Sequence, residues 1–131
     1  MKNIYRFILL DDNESINILN KLIIKKIIDN AEIQTFCFPE EGLDYISSCH
    51  SDDKTAILLD INMSTMSSWE FLDKFDQLDD SIKKQYNIYI LSAYIKLEDR
   101  QWAEKNKNVI NFFEKPLTKE LVQTISHFSS N

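Results

Sequence analysis

Four apolar residues, Ala56-Ile57-Leu58-Leu59, run without interruption into Asp60, and no other stretch constrains the fold as strongly. A strand with one wet face alternates polar and apolar residues. An unbroken apolar run is expected where both faces are covered, as in a parallel sheet flanked by helices. Asp60 then stands at the carboxyl end of the strand. In open α/β sheets, loops and helix N-termini converge at that edge into a crevice where ligands bind. An aspartate there can equally turn the chain or cap the next helix, so its meaning depends on what the other strand ends carry.

Taken in order, Tyr5-Arg6-Phe7-Ile8-Leu9-Leu10 is an apolar, β-prone run ending in Asp11-Asp12. Ile16, Leu19, Leu22, Ile23 and Ile27 then recur at the spacing that lays one helical face on a core. Asp12 or Asn13 can cap this helix, and Glu14 complements its positive end. The segment from Glu32 to Phe38 alternates in part, which predicts an edge strand with one solvated side. Pro39-Glu40-Glu41 predicts a helix start, with Leu43 and Ile46 on its apolar face. Gly42, the only glycine in the chain, lies inside that helix at a cost of about 1 kcal/mol against alanine.

After Asp60, residues 62–66 predict a loop, and Ser67 with Glu70 has the spacing of a capping box. Phe71, Leu72, Phe75 and Leu78 form the core face of the helix that follows, and Asp79-Asp80-Ser81 closes it into a polar connection. Ile88-Tyr89-Ile90-Leu91 is a further strand, ending in Ser92-Ala93. Leu97 to Asn106 is a weaker helix whose main apolar content is Trp102 and Ala103. Val109 to Phe113 is the fifth strand, ending in Glu114-Lys115-Pro116. Thr118 can cap a last helix with the stripe Leu121, Val122, Ile125 and Phe128. Five strands alternate with five helices, which implies an α/β fold with a parallel sheet covered on both faces. Four strand ends then carry usable chemistry: Asp11-Asp12, Asp60, Ser92 and Lys115.

Composition narrows the function. The length of 131 residues and a hydrophobic content of 44% suit one domain over 1–131. A net charge of -6 without a basic run argues against nucleic acid as a partner. Phe7 to Leu10 is too short for a secretory core, and nothing approaches membrane-spanning length. Cys37 and Cys49 lack a CxxC or His neighbour and are expected as buried or half-buried thiols in a reducing compartment, the cytoplasm. His50 and His127 have no ligand-spaced partners and are expected at the surface.

Asp-Asp after the first strand, Asp after the third, Ser-Ala after the fourth and Lys-Pro after the fifth resemble the receiver domain of two-component response regulators, in the single-domain form similar to chemotaxis regulators. The similarity covers essentially the whole chain and implies a flavodoxin-like fold with strand order 2-1-3-4-5. It implies Asp60 as phosphoacceptor, with Mg²⁺ held by Asp12, Asp60, Asp11 (directly or through metal-bound water) and the backbone carbonyl of Asn62. Lys115, the Ser92 hydroxyl and the Ala93 amide would face the phosphoryl oxygens. These residue types suit that chemistry independently, because Mg²⁺ prefers carboxylate, carbonyl and water oxygens and lysine pairs with phosphate as a point charge.

Three positions depart from the family pattern. Ser64 and Ser68 stand where the family usually has proline and glycine, which predicts a looser or differently turned loop. Phe112 stands where an aromatic often switches rotamer, and with no hydroxyl its switching must rest on packing. The resemblance implies a signalling switch, not an enzyme beyond self-phosphorylation and self-dephosphorylation. Its phosphoryl group would come from a histidine kinase or phosphotransfer protein. Its output face would be the helix at 97–106, the fifth strand and the last helix, for a kinase, a phosphotransfer protein or a second copy of the domain. The alternatives are a Mg²⁺-dependent phosphohydrolase with an aspartyl-phosphate intermediate, and a docking module that is never phosphorylated.

Overall fold

The computed structural model describes residues 3–61, 66–94 and 96–127. Its elements run β1 (Arg6–Leu10), α1 (Glu14–Ile27), β2 (Glu32–Phe36), α2 (Pro39–Ser48), β3 (Thr55–Leu59), α3 (Ser68–Asp76), α4 (Asp80–Lys83), β4 (Tyr86–Ser92), α5 (Leu97–Lys105), β5 (Val109–Glu114) and α6 (Lys119–Ser126). The five strands form one parallel sheet in the order β2-β1-β3-β4-β5. β2 is an edge strand, as its alternation predicts, and β3 and β4 are buried along their whole length.

Two cores explain why the central strands are mostly apolar, with Asn87 the polar residue inside β4. Phe7, Leu9, Ala56, Leu58, Tyr89 and Leu91 point to one face, where Ile24 of α1 and Val122 and Ile125 of α6 cover them. The intervening Ile8, Leu10, Ile57, Leu59 and Ile88 point to the other, under Ile46 of α2 and Phe71, Leu72 and Phe75 of α3. Strand side chains alternate between faces, so a sheet covered on both favours apolar residues at successive positions. Gly42 fits this packing, since a Cβ there would lie 2.6 Å from Leu10 Cδ2 and force a buried side chain to shift.

The structure corrects two expectations and adds one feature. There are six helices among the described residues, since Asp80–Lys83 forms one helical turn where a polar connection is expected. It buries no residue, so it leaves no apolar period in the sequence. Leu19 and Leu22 do not face the core, and Leu22 is 60% exposed. α1 turns Asn17, Asn20 and Ile24 inward instead, with Ile23 and Ile27 beside them. The added feature is in β5, where the pairing shifts from Ile88↔Val109 to Tyr89↔Asn111 and leaves Ile110 as a bulge. One extra residue flips the side chains that follow. Val109 and Phe112 therefore pack on the same small cluster, with Ile61, Ile90, Ala103 and Trp69, while Phe113 joins the opposite core.

Cys37 and Cys49 are free, half-buried thiols, and His50 and His127 are exposed. Phe128, expected on the last helical stripe, lies outside the described residues. No helix among the described residues is long and apolar enough to cross a membrane.

Candidate functional site

The sheet register brings the strand-end residues level. Leu10 pairs with Leu59, and one residue on, the Asp60 N–H donates to the Leu10 carbonyl (2.9 Å). The Asp11 N–H donates to the Phe36 carbonyl (3.2 Å), and the Lys115 N–H donates to the Ser92 carbonyl (2.8 Å). The ladder thus runs one step past the strands, so Asp11, Asp60 and Lys115 leave the sheet on fixed backbone.

Their side chains converge. Carboxylate oxygens of Asp11, Asp12 and Asp60 all lie within 4.8 Å of one another. The Lys115 ammonium donates to Asp11 Oδ2 at 2.6 Å and stands 3.8 Å from Asp60 Oδ1. The other Asp11 oxygen accepts from the Asn13 N–H (2.9 Å). Asp11 and Asp60 are buried and Asp12 is exposed, so the cluster opens to solvent on the Asp12 side. Asn13 is the helix cap, its Oδ1 accepting from the Ile16 N–H (3.2 Å). Asp12 is therefore left to the cluster.

Three carboxylates against one ammonium leave an excess of negative charge in a partly dehydrated crevice, an arrangement that favours a cation. The donors are all oxygens, which suits a hard divalent ion such as Mg²⁺ and not a thiolate- or imidazole-loving metal. Asn62 and Ser64 lie outside the described residues. Ser92 is buried and its hydroxyl makes a long bond to the Tyr94 carbonyl (3.4 Å), while Ala93 is exposed. Phe112 packs half-buried against Ile61, Ile90 and Ala103. The Arg100 guanidinium sits 4.6 Å from its ring centre, a cation–π contact.

Two residues around the site are missed by sequence reasoning. The Asn17 amide donates to the Asp11 carbonyl (2.9 Å) and to the Phe36 carbonyl (3.3 Å). The Ser68 hydroxyl reaches the Asp60 carbonyl and the Ile61 carbonyl (2.7 Å). Both lie in the first turns of the helices that follow the acids, and both hold an acid's own peptide. For Asn17 no local period gives a signal, since it lies beside the expected stripe and its partners are backbone carbonyls at two strand ends. For Ser68 the signal was the departure from glycine: its hydroxyl ties the Asp60 and Ile61 peptides, while most of the loop expected to be looser or differently turned lies outside the described residues.

No protein-family model and no curated protein matches this chain. Solved structures do. The chain is similar to a two component response regulator from Cytophaga hutchinsonii, with a TM-score of 0.80 and 26% identity over 95% of each chain. It is also similar to a response regulator receiver protein from Dyadobacter fermentans, with a TM-score of 0.81 and 24% identity over 91% of this chain and 95% of that one. A third is the chemotaxis response regulator CheY4 of Vibrio cholerae, with a TM-score of 0.73 and 21% identity over 92% of this chain and 94% of that one. Strand order, helix placement and the extent of these overlaps agree, and this chain has the receiver-domain fold of two-component response regulators.

Proposed function

We propose that residues 1–131 form one receiver domain that works as a phosphorylatable switch in the cytoplasm. Asp60 accepts a phosphoryl group from a histidine kinase or phosphotransfer protein, and the change passes on through protein contacts. The observation that carries this reading is the Asp60 carboxylate, 3.8 Å from the Lys115 ammonium and grouped with Asp11 and Asp12. In the transfer, an Asp60 oxygen forms the new O–P bond while the N–P bond of a phosphohistidine breaks, and its electron pair leaves on the imidazole nitrogen. Asp11, Asp12 and Asp60 would hold Mg²⁺, which offsets the charge of donor and acids. Lys115 can turn from Asp11 to a phosphoryl oxygen. The Ser92 hydroxyl, which makes a long bond to the Tyr94 carbonyl, can exchange it for the same group.

The small cluster beside Asp60 supplies the route outward. Ile61 follows the acceptor directly and packs with Ala103 of α5 and Phe112 of β5, so a shift at Asp60 reaches both elements through side-chain contact. α5, β5 and α6 form the proposed output face, offered to a kinase, a phosphotransfer protein or a second copy. A phosphohydrolase would use the same acid but turn over many donors.

The test is incubation with acetyl phosphate and Mg²⁺, with Asp60→Asn as control. One phosphoryl group retained on Asp60 and absent from the variant supports the switch. Continuous turnover of varied phosphate esters supports the hydrolase, and no labelling under any donor supports a docking module.

A further inference from the structure

Ser68 is fully buried at the first turn of α3, and its hydroxyl lies in hydrogen-bond reach of two successive carbonyls, those of Asp60 and Ile61. A hydroxyl has one proton to donate, so that proton is shared between the two acceptors and ties their peptides to one point. On its other side Asp60 is fixed by its N–H on the Leu10 carbonyl. The Asp60 Cα is thus held from both directions, and only the side-chain torsions remain to aim the carboxylate. We propose that Ser68 is a positioning residue for Asp60, holding the acid's backbone so that its carboxylate meets Lys115, Asp11 and Asp12. The inference rests on the switch reading for its kinetic consequence, though not for its geometry.

The competing explanation is that buried carbonyls need a donor wherever they lie, with no bearing on the acid. The chain contains an internal control for it. Ser126 makes the same kind of bond, its hydroxyl donating to the Ile4 carbonyl (2.9 Å), buried and in another part of the fold.

Ser68→Ala and Ser126→Ala should therefore be compared by thermal unfolding, by labelling kinetics with acetyl phosphate, and by ¹³C NMR of the metal-free proteins at one pH. Both variants should lose stability. Only Ser68→Ala should label more slowly, by about tenfold to a hundredfold as expected for a misaligned reacting group, with the apparent donor constant unchanged. It alone should also move the carbonyl and side-chain carboxyl signals of Asp60. Ser68→Thr, which keeps the hydroxyl, should recover the rate while remaining less stable than wild type. Equal rates and unmoved Asp60 carboxyl signals in Ser68→Ala overturn the inference and leave the switch reading intact. A wild type that is never labelled overturns the switch reading, and the carboxyl signals then still decide whether Ser68 positions Asp60.

Discussion

α3 and α5 are both nine residues long and lie side by side on one face of the sheet, yet they are held very differently. α3 is capped by Ser67, whose hydroxyl accepts from the Glu70 N–H (3.1 Å), and it buries Ser68, Phe71, Leu72 and Phe75. α5 follows Lys96, which gives it no side-chain cap, and buries only Ala103, and its Leu97 is 69% exposed. The two meet through Trp69 and Trp102, whose ring centres are 4.3 Å apart. A fully buried aromatic contributes on the order of 2–3 kcal/mol and an alanine far less. The fixed helix therefore carries the hydroxyl bonded to the Asp60 carbonyl, and in the proposed switch the loosely held one is free to respond. Low local stability is what a responding element requires.

The most damaging test of this contrast is removal of the anchors. Phe75→Ala should cost about 3–5 kcal/mol through the cavity it leaves, whereas Leu97→Ala should stay within about 0.5 kcal/mol. Urea denaturation of the two variants measures both. Comparable losses would mean that α5 is as firmly packed as α3.

The metal comes next in size. Asp12→Ala should weaken Mg²⁺ binding by more than about tenfold, equivalent to about 1.4 kcal/mol, because it removes one of the three clustered carboxylates. Trp69, on the anchored helix beside Asp60, supplies the fluorescence signal. Unchanged affinity in Asp12→Ala rules out this metal site.

A smaller effect should come from the bridge between the helices. A double-mutant cycle on Trp69 and Trp102, each replaced by leucine, should give a coupling of about 0.5–1.5 kcal/mol. Zero coupling would remove the tryptophan pair as a link from α3 to α5.

The mildest probe is alkaline pH. Phe75 of α3 meets Tyr86 edge to face at 6.1 Å, and burial pushes the Tyr86 phenol up to about 12 from its ordinary 10.0. The unfolded chain releases that proton first. The stability gained by burying a neutral Tyr86 is therefore complete below pH 10 and is lost as the pH rises through about 12. Hydrogen exchange at increasing pH, corrected for intrinsic rates, should show α3 loosening over that window. If α3 remains protected while Tyr86 ionises, the helix does not depend on this contact.

How much of this could be read beforehand varies with the kind of interaction. The β3 run predicted its own burial because both faces of that strand lie under helices. The Ser67 cap was visible because capping depends on residues three apart. In α1 the expected stripe holds at Ile23 and Ile27 and fails at Leu19 and Leu22, because polar residues occupy part of the buried face. Asn17 is satisfied there by the Asp11 and Phe36 carbonyls, partners that no local period reveals. The bulge at Ile110 was equally invisible, since register is set by the neighbouring strand.

Sequence alone determined the alternation of strands and helices, the parallel sheet and the residues at its carboxyl edge, because these follow from hydrophobic period and short-range chemistry. Tertiary structure decided how they meet: Lys115 paired with Asp11 at closer range than with Asp60, Ser68 holding the Asp60 peptide, Phe112 turned onto the Ile61 cluster by a one-residue bulge. Apart from Ser68 and Asp60, eight residues apart, those are contacts between residues far apart in the chain. Their geometry exists only once the sheet register has placed the strand ends side by side.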